Sequence, residues 1–417
     1  MKKLLVLGGT SISKEIVYAA HEMGIEVYVT DYYEDSPAKK IADKSFMVSA
    51  TDVDAVVDLI KKESIDGVIT GYVDVLLPYY VQICQKANIP CYANLEAIRV
   101  TTDKALFKDS CRQHNIPVVP EYTKADVDEG KVIYPLIVKP VDNSGARGIY
   151  ICHNRTEFDD YYLKALECSL SKNVLIERFL TGLEATIFYY LHNGRAYLLG
   201  IGDRHMLKFD DKHLSLPIGY TFPSAHIDNF AAEDQHIKEM FKSLGMEEGM
   251  VFIQTFNEKG NYIVYEMGYR LTGSLEQHLM EQQYGFNHLK AMIDYAVGNE
   301  VDTSHVEILN PKNCVMANLT LLLTMGTIKE YDGVEEVRNI PGVAHIHLSY
   351  EVGKTIDENT IGRLAQVGAR VLITANNKCK LLETMDRIKN TLKAISTEGN
   401  NMFITNYSYQ SLCKLKT

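Results

Sequence analysis

The first hundred residues switch repeatedly between two hydrophobic periods, and this alternation constrains the fold more than any other feature. KLLVLGG (3–9) is a short apolar run entering a glycine turn, and a helical pattern follows from Ser11 to about Met23. IEVYVTD (25–31) is a second strand ending in an acidic residue, and SFMVSA (45–50) is a third. DVDAVVDLIKKE (52–63) has the period of an amphipathic helix, DGVITG (66–71) is a fourth strand, and a helix covers roughly 75–87. Strands that alternate with helices form a parallel sheet, with helices packed on both faces. Ligands bind such sheets at the carboxyl ends of the strands. Gly8, Gly9 and Thr10 lie at that rim, and so does Asp31. They lack the G-x-G-x-x-G spacing, so a tight turn or a carboxylate-binding helix N-terminus fits better than a dinucleotide site. Tyr72 and Asp74 share the rim, either as loop residues or as substrate contacts.

Bulk properties narrow the function classes. The 417 residues leave room for roughly three domains. A net charge of −11 argues against a broad nucleic-acid or anionic-membrane footprint. The eight cysteines form no C-x-x-C pair, so neither a zinc site nor a disulfide framework is supported, and a reducing compartment is expected. MKKLLVLGGTS lacks a long apolar region and a cleavage site, and no segment approaches the ~20 apolar residues of a membrane span. A soluble cytoplasmic protein is the expectation.

A second unit begins near residue 100. TTDKALFKDSCRQHNIP (101–117) reads as a helix with Thr102 as N-cap. Lys104 in its first turn opposes the helix dipole, as a solvated surface lysine or as one reaching for an anion. VVPEY (118–122) and YPLIVKP (134–140) read as extended, and the second delivers Lys139 into the turn of VKPVDNSGARG (138–148). That turn holds Asn143, Ser144, Gly145, Arg147 and Gly148. Glycines let backbone N–H groups approach phosphate oxygens, and lysine supplies a point charge. It is not a Walker A loop, because the lysine precedes the glycines; an ordinary hairpin turn is the other reading. GIYICH (148–153) is a strand and EFDDYYLKALECSL (157–170) a helix.

NVLIERFLTGLEATIFYYL (173–191) is a strand, a break and a strand. If Glu177, Arg178, Phe179 and Leu180 run extended, their backbone offers adenine one acceptor and one donor. Glu184 is then placed to accept from ribose hydroxyls; two surface glutamates in a plain connection are the alternative. VFIQTFNEKGNYIVYEMGYR (251–270) is the strongest hairpin signal. A loop over 257–261 puts Gln254 opposite Val264 and makes Gln254 and Glu266 diagonal neighbours on one face, within reach of one metal ion or phosphate. Arg270 lies four residues beyond Glu266, and Thr272, Gly273 and Ser274 follow. Residues 200–226 are the least regular part of the middle, with Arg204, His205 and Lys208 as a basic cluster that is either a solvated loop or a ligand contact. His205, His213 and His226 lack metal-ligand spacing. Towards the end, 314–328 is rich in β-formers, 342–353 alternates as a strand carrying His345 and His347, and 378–396 reads as a helix.

The order of these parts resembles the ATP-grasp superfamily of carboxylate–amine ligases and carboxylases. The parts are Lys104, Lys139 with its glycine loop, I-E-R-F-L-x-G-x-E, and a hairpin bearing E-x-x-x-R. GARVLITANNKCKLLETMDRIKNTLKAIS (368–396) is similar to the C-terminal part of the biotin carboxylase and purine-carboxylase branch. The resemblance implies a multidomain α/β and α+β fold. It comprises a Rossmann-like preATP-grasp domain over 1–100, an ATP-grasp domain over 101–300 with a mobile lid at about 118–185, and a mixed α/β C-terminal lid domain over 301–417.

It also implies roles. Lys104 and Lys139 bind ATP phosphates, and residues from Asp142 to Gly148, including Asn143, Ser144, Gly145 and Arg147, close over them. Glu177, Arg178, Phe179 and Leu180 line the adenine slot, and Glu184 holds the ribose. Glu266 and Gln254 face Mg²⁺, with Mn²⁺ as an alternative ion. Lys139 and Arg270 are catalytic, Arg270 steadying an acyl phosphate and the later oxyanion. The implied partners are a small carboxylate and an amine, with no nucleic acid and no membrane, and a homodimer is the superfamily expectation. The metal half departs from the pattern. The family has an acidic residue at the Gln254 position and asparagine at Gly268. An ADP-forming C–N ligase is therefore the leading expectation. A bicarbonate-using carboxylase or carbamoyl-phosphate-like synthase is the runner-up, and a catalytically weak ATP/ADP sensor is the non-enzymatic alternative.

Overall fold

The computed structural model describes residues 1–141, 148–207, 215–258, 260–306 and 314–405. Its first unit carries strands β1 (Lys3–Leu7), β2 (Glu26–Thr30), β3 (Lys44–Phe46) and β4 (Gly67–Ile69), all parallel, in the order β3-β2-β1-β4. Helices α1 (Lys14–Glu22), α2 (Val53–Glu63) and α3 (Leu77–Ala87) alternate with them. The third strand is shorter than 45–50 implies. The Thr30 hydroxyl donates to the Val48 carbonyl at 2.5 Å, which draws the chain out of the ladder. The carboxylate at the end of β2 works inside the first turn: Asp31 Oδ2 accepts the Gly9 N–H at 2.7 Å.

Helices α4 (Leu95–Thr102) and α5 (Lys104–Gln113) lead into the second unit. The expected cap is corrected here. Thr102 ends α4, and Asp103 caps α5 by accepting from the Ala105 and Leu106 N–H groups. A chain that must stop one helix and start another in two residues places the better acceptor at the junction. Next come β5 (Glu121–Tyr122), which retains only the end of the expected 118–122 run, α6 (Lys124–Asp128), β6 (Leu136–Pro140), β7 (Tyr150–Cys152), α7 (Arg155–Cys168) and β8 (Val174–Arg178). The four strands form a separate sheet, β5-β8-β6-β7, with its own small core of Val127, Leu136, Val138, Cys152, Phe158, Ala165 and Ile176.

The long strands that follow build an eight-stranded antiparallel sheet. Its first six strands in the chain are β9 (Leu183–His192), β10 (Arg195–Leu207), β11 (Leu216–Phe222), β12 (Gly249–Glu258), β13 (Asn261–Gly268) and β14 (Val315–Leu322), with α8 (Ala231–Ser243), α9 (Gln277–Tyr284) and α10 (His288–Ala296) between them. After β15 (Gly326–Asp332) and α11 (Val334–Arg338) come β16 (Val343–Leu348), β17 (Thr355–Ile356), β18 (Val367–Ala375), α12 (Lys378–Thr391) and β19 (Lys393–Ser396). The large sheet runs β13-β12-β9-β10-β11-β14-β18-β16, and β17-β15-β19 form a small one. The helix expected over 378–396 therefore stops at Thr391, because 393–396 pairs with β15.

Residues 200–226 are also more regular than their composition suggests. Gly200 and Gly202 weaken the strand signal, but both lie against the Phe222 ring, which supplies the packing they lack. His205 and Arg204 sit on consecutive positions of β10 and so face opposite sides of the sheet, which breaks up the expected basic cluster; Lys208 and His213 lie outside the described residues. His205 Nε2 lies 2.8 Å from the Thr221 hydroxyl, and burial lowers its pKa to about 4, so it is neutral at pH 7. Among the described residues no helix is long and apolar enough to cross a membrane.

Two predictions follow from the packing. A Cβ on Gly67 of β4 would lie 2.1 Å from the Ala296 carbonyl oxygen at the end of α10, so the first sheet meets α10 at backbone distance. Gly67→Ala should cost about 1–3 kcal/mol of stability, whereas Gly130→Ala, with nothing within 4 Å, should show only the strain of its positive φ; urea unfolding separates the two. For His205 the unfolded value is near 6.5 and the folded value about 4. The unfolded chain therefore binds the extra proton between these values, and stability falls as pH drops through that window. His205→Gln should remove about 2.5 kcal/mol of the stability difference between pH 7.5 and 4.5. An unchanged acid limb would contradict the assignment.

Candidate functional site

The densest charge cluster lies where α5 meets the small sheet. β6 and β8 are antiparallel with Ile137 opposite Glu177, which sets Lys139 diagonally across from Glu177. Lys139 Nζ is 2.7 Å from Glu177 Oε2. The other Glu177 oxygen is bonded by Lys108, which is fully buried and also reaches Glu121 Oε1 at 2.7 Å. Arg112 closes the chain on the second oxygen of Glu121. Burial pulls the Lys139 pKa down, partly offset by Glu177, while the charges of Lys108 and Lys104 push it down further. Burial pushes Glu177 up, but Lys139 and Lys108 together hold its carboxyl below the usual range. Lys104 precedes Lys108 by four residues, so both lie on one face of α5. Lys104 makes no ion pair among the described residues.

The same β8 strand exposes a pair of backbone groups. Arg178 N–H donates to the Pro120 carbonyl at 2.9 Å, and Phe179 N–H donates to that of Pro135 at 2.9 Å. Pro120 has no N–H to return, so the Arg178 carbonyl is left without a ladder donor. Two residues on, the Leu180 N–H meets no acceptor among the described residues. One free acceptor and one free donor thus face the same way beside the lysines. Glu184 begins β9 and accepts from Arg204 Nη1 at 2.7 Å, with the Tyr265 hydroxyl at 3.1 Å. Asn143, Ser144, Gly145 and Arg147 lie outside the described residues, and Gly148 packs against Pro140 and Cys168.

The hairpin register differs from the expected one. The turn is tighter, with Glu258 opposite Asn261, and a bulge falls between Gln254 and Thr255. Gln254 therefore sits directly opposite Glu266, not diagonally from it. The two offsets cancel in facing, because each one-residue slip turns the side chains over. Glu266 is exposed and Gln254 half-buried, and neither side chain makes a hydrogen bond among the described residues. Two oxygen donors side by side suit a hard cation such as Mg²⁺.

Gly268 faces Phe252 in the register, and a Cβ there would lie 2.2 Å from the phenyl ring. The Arg270 guanidinium lies 5.1 Å from the same ring. Asp74, on the first unit, grips Arg270 through Nε at 2.5 Å and Nη2 at 2.8 Å, and Nη1 donates to the Leu271 carbonyl at 2.8 Å. Arginine has five N–H donors, so two remain for a ligand.

Beyond Arg270 the polar lining continues into the interior. Glu276 is fully buried, which raises its carboxyl pKa, and Thr272 donates to its Oε2 at 2.5 Å. Glu276 Oε1, Gln277 Nε2 and the Tyr72 hydroxyl have no partner among the described residues. At the first-unit rim an open cleft of about 400 Å³ is lined by Gly9, Thr10, Asp31, Tyr33, Asp35 and Ser36. Sequence reading missed Lys108, Glu121, Glu276 and the Phe252–Gly268 pairing. Lys104 and Lys108 at helical spacing were the available signal for the first of these.

Residues 1–100 match the ribonucleotide synthetase preATP-grasp domain family model, and residues 132–277 match that of the ATP-grasp domain. A formate-dependent phosphoribosylglycinamide formyltransferase of Sulfurisphaera tokodaii is 31% identical over 201 residues, 45% of this chain and 50% of that protein. The chain thus spans about half the length of these curated relatives. Among solved structures, the phosphoribosylglycinamide synthetase from Anaerococcus prevotii superposes with a TM-score of 0.75 at 19% identity, covering 95% of this chain and 100% of the other. The L-amino acid ligase from Bacillus licheniformis gives 0.73 at 19% identity, covering 94% and 98%. With a preATP-grasp domain followed by an ATP-grasp domain, the chain belongs to the ATP-grasp superfamily.

Proposed function

We propose that this protein is an ADP-forming ligase that uses ATP to activate a small carboxylate as an acyl phosphate, which an amine then attacks. The observation that carries this reading is the juxtaposition at the end of β8: a free carbonyl and a free N–H at Arg178 and Leu180, next to two lysines, Lys108 and Lys139, gathered on Glu177, with Lys104 one helical turn before Lys108. The backbone pair suits the edge of adenine, and the lysines suit its phosphates. Glu177 contributes by holding Lys139 and Lys108 together without saturating their charge. The loop residues Asn143, Ser144, Gly145 and Arg147 are proposed to cover the phosphates with Gly148, and Glu184 to take the ribose.

Glu266 and Gln254 would hold Mg²⁺, which would supply positive charge to offset that of the phosphates. Arg270 acts at the other end of the hairpin. Asp74 fixes its plane, and its two remaining donors are aimed at the oxyanion of the reacting carboxyl. The buried polar atoms of Tyr72, Glu276 and Gln277 would receive the polar groups of the substrate, and the acidic cleft at Asp31 and Asp35 suits a cationic amine. Positioning and charge neutralisation suffice for this chemistry, with no covalent nucleophile. An expected setting is the cytoplasm, where ATP is available.

The direct test is acyl-phosphate trapping. Purified protein with ATP, Mg²⁺, a panel of amino and other small carboxylic acids, and hydroxylamine should release ADP and form a hydroxamate with at least one acid. Nucleotide binding without ADP release from any carboxylate–amine mixture would instead make the chain a sensor. Glu266→Gln should lower turnover on the order of 10²–10³-fold while nucleotide binding without metal persists. Lys108→Met should leave Glu177 with one partner, cost about 3–5 kcal/mol of stability, and weaken ATP binding. Gly268→Asn should destabilise the hairpin against the Phe252 ring, and Phe252→Ala in the same chain should relieve it and lower the Mg²⁺ concentration needed for half-maximal ADP release. A double variant no better folded than Gly268→Asn alone would refute the steric account.

A further inference from the structure

Away from the lysines and the hairpin, three imidazoles converge on one buried carboxylate. Glu15 lies in the first turn of α1 and is 4% exposed. His278 comes from α9, and His345 and His347 come from β16. Glu15 Oε2 is 3.1 Å from His278 Nε2 and 3.3 Å from His345 Nε2. Glu15 Oε1 is 2.8 Å from His347 Nδ1. His345 and His347 share a face of β16 because strand side chains repeat every second residue. No hydrogen bond links any of the four to Lys139, Glu177, Gln254, Glu266 or Arg270 among the described residues.

Electrostatics limits what this cluster can be. The His278 and His345 rings stack nearly parallel, 3.7 Å apart and 7° from coplanar. Burial, with the neighbouring His345 ring, holds the His278 pKa below the ordinary imidazole value. Parallel rings at that spacing cannot turn both lone pairs toward one point, so His278 is a stacking neighbour, while Glu15, His345 and His347 bring one oxygen and two nitrogens together from two separate elements.

We propose that Glu15, His345 and His347 form a binding site for a divalent transition ion of the Zn²⁺ type, with His278 stacked behind His345. Two imidazole nitrogens and one carboxylate oxygen, with a fourth position open to water, are a regular donor set for tetrahedral zinc and a poor one for Mg²⁺. Metal bonds of about 2.1 Å place tetrahedral ligand atoms about 3.4 Å apart. The Glu15, His345 and His347 donor atoms lie within 4.8 Å of one another, and the nitrogen–oxygen separations to the two histidines are 3.3 and 2.8 Å. Entry of the ion draws these atoms together and displaces the protons the rings now share with Glu15. Bound there, the ion clamps α1 of the first unit to the edge strand β16 of the large sheet.

The test uses the full chain stripped with chelator and studied without nucleotide. Zn²⁺ titration by calorimetry should give one equivalent per chain, Co²⁺ should produce the intense visible bands of a tetrahedral site, and Zn²⁺ should raise the melting temperature. The double variant His345→Gln, His347→Gln should lose affinity by about 100-fold or more and lose the Co²⁺ bands. Glu266→Gln should retain both. If the double variant folds poorly by circular dichroism, Glu15→Gln serves as the reporter with the same expected loss. Absence of stoichiometric Zn²⁺ and of a tetrahedral Co²⁺ spectrum in the unaltered chain would overturn the proposal and leave a hydrogen-bonded cluster. Binding that survives unchanged in the well-folded variants would overturn it as well, by assigning the ion elsewhere.

Discussion

The charge cluster between α5 and the small sheet depends on a lysine that never reaches solvent. Lys108 is fully buried between Glu177 and Glu121, and the geometry of Glu177 rests on it. A buried carboxylate with one lysine partner would face a large desolvation cost, and with two it remains ionised and fixed. That fixes Lys139 in turn, at the end of β6, where the loop after it begins. The ion chain therefore ties α5 to both central strands of the small sheet. The small core of that sheet has seven buried residues, so polar ties to α5 form a large part of what holds it in place.

The β12–β13 hairpin is held differently, by packing more than by charge. At the end of β13 the hairpin carries a packing contact where the superfamily pattern has a ligand. Phe252 fills the space over Gly268 and at the same time offers its face to Arg270. An aromatic ring over a cross-strand glycine replaces contacts that the glycine lacks, and a guanidinium over that ring gains a cation–π contact. The loss of a side-chain oxygen at residue 268 is thus coupled to a firmer seat for Arg270, which Asp74 completes from the first unit. The departure reads as an exchange within one packed group of four residues.

How much of this was legible from sequence depends on how local each signal is. Parallel alternation in the first hundred residues, the strand ending in Lys139 and the β12–β13 hairpin are short-range patterns, and the chain folds as they imply. Registers and ends were less accessible. The hairpin hid a tighter turn and a bulge at Thr255, and a bulge has no composition of its own. Asp103 outcompeted Thr102 as a cap because α4 already occupied Thr102. The strands around residue 200 were masked by glycines whose packing partner, Phe222, lies about twenty residues away. The C-terminal helix was extended too far because pairing of 393–396 with β15 is a tertiary event.

The histidine cluster marks the limit of such reading most clearly. In the sequence, Glu15 is a helix residue, His278 follows a turn, and His345 and His347 alternate along a strand, so each has an ordinary explanation. The spacing of 263 and 332 residues between Glu15 and two of its partners carries no local signal. What joins them is topology: β16 lies at one edge of the large sheet, next to β18, and α9 packs on both strands. α1 in turn packs on α10, which follows α9 in the chain and whose other end meets Gly67 of the first sheet. The first unit is thus seated on the rest of the molecule by backbone contact at Gly67 and by charge at Asp74 and Glu15. A buried carboxylate at such a seam must find several donors or remain neutral. Three imidazoles, two of them placed to change partner from carboxylate to metal, meet that requirement in a way that three amides could not.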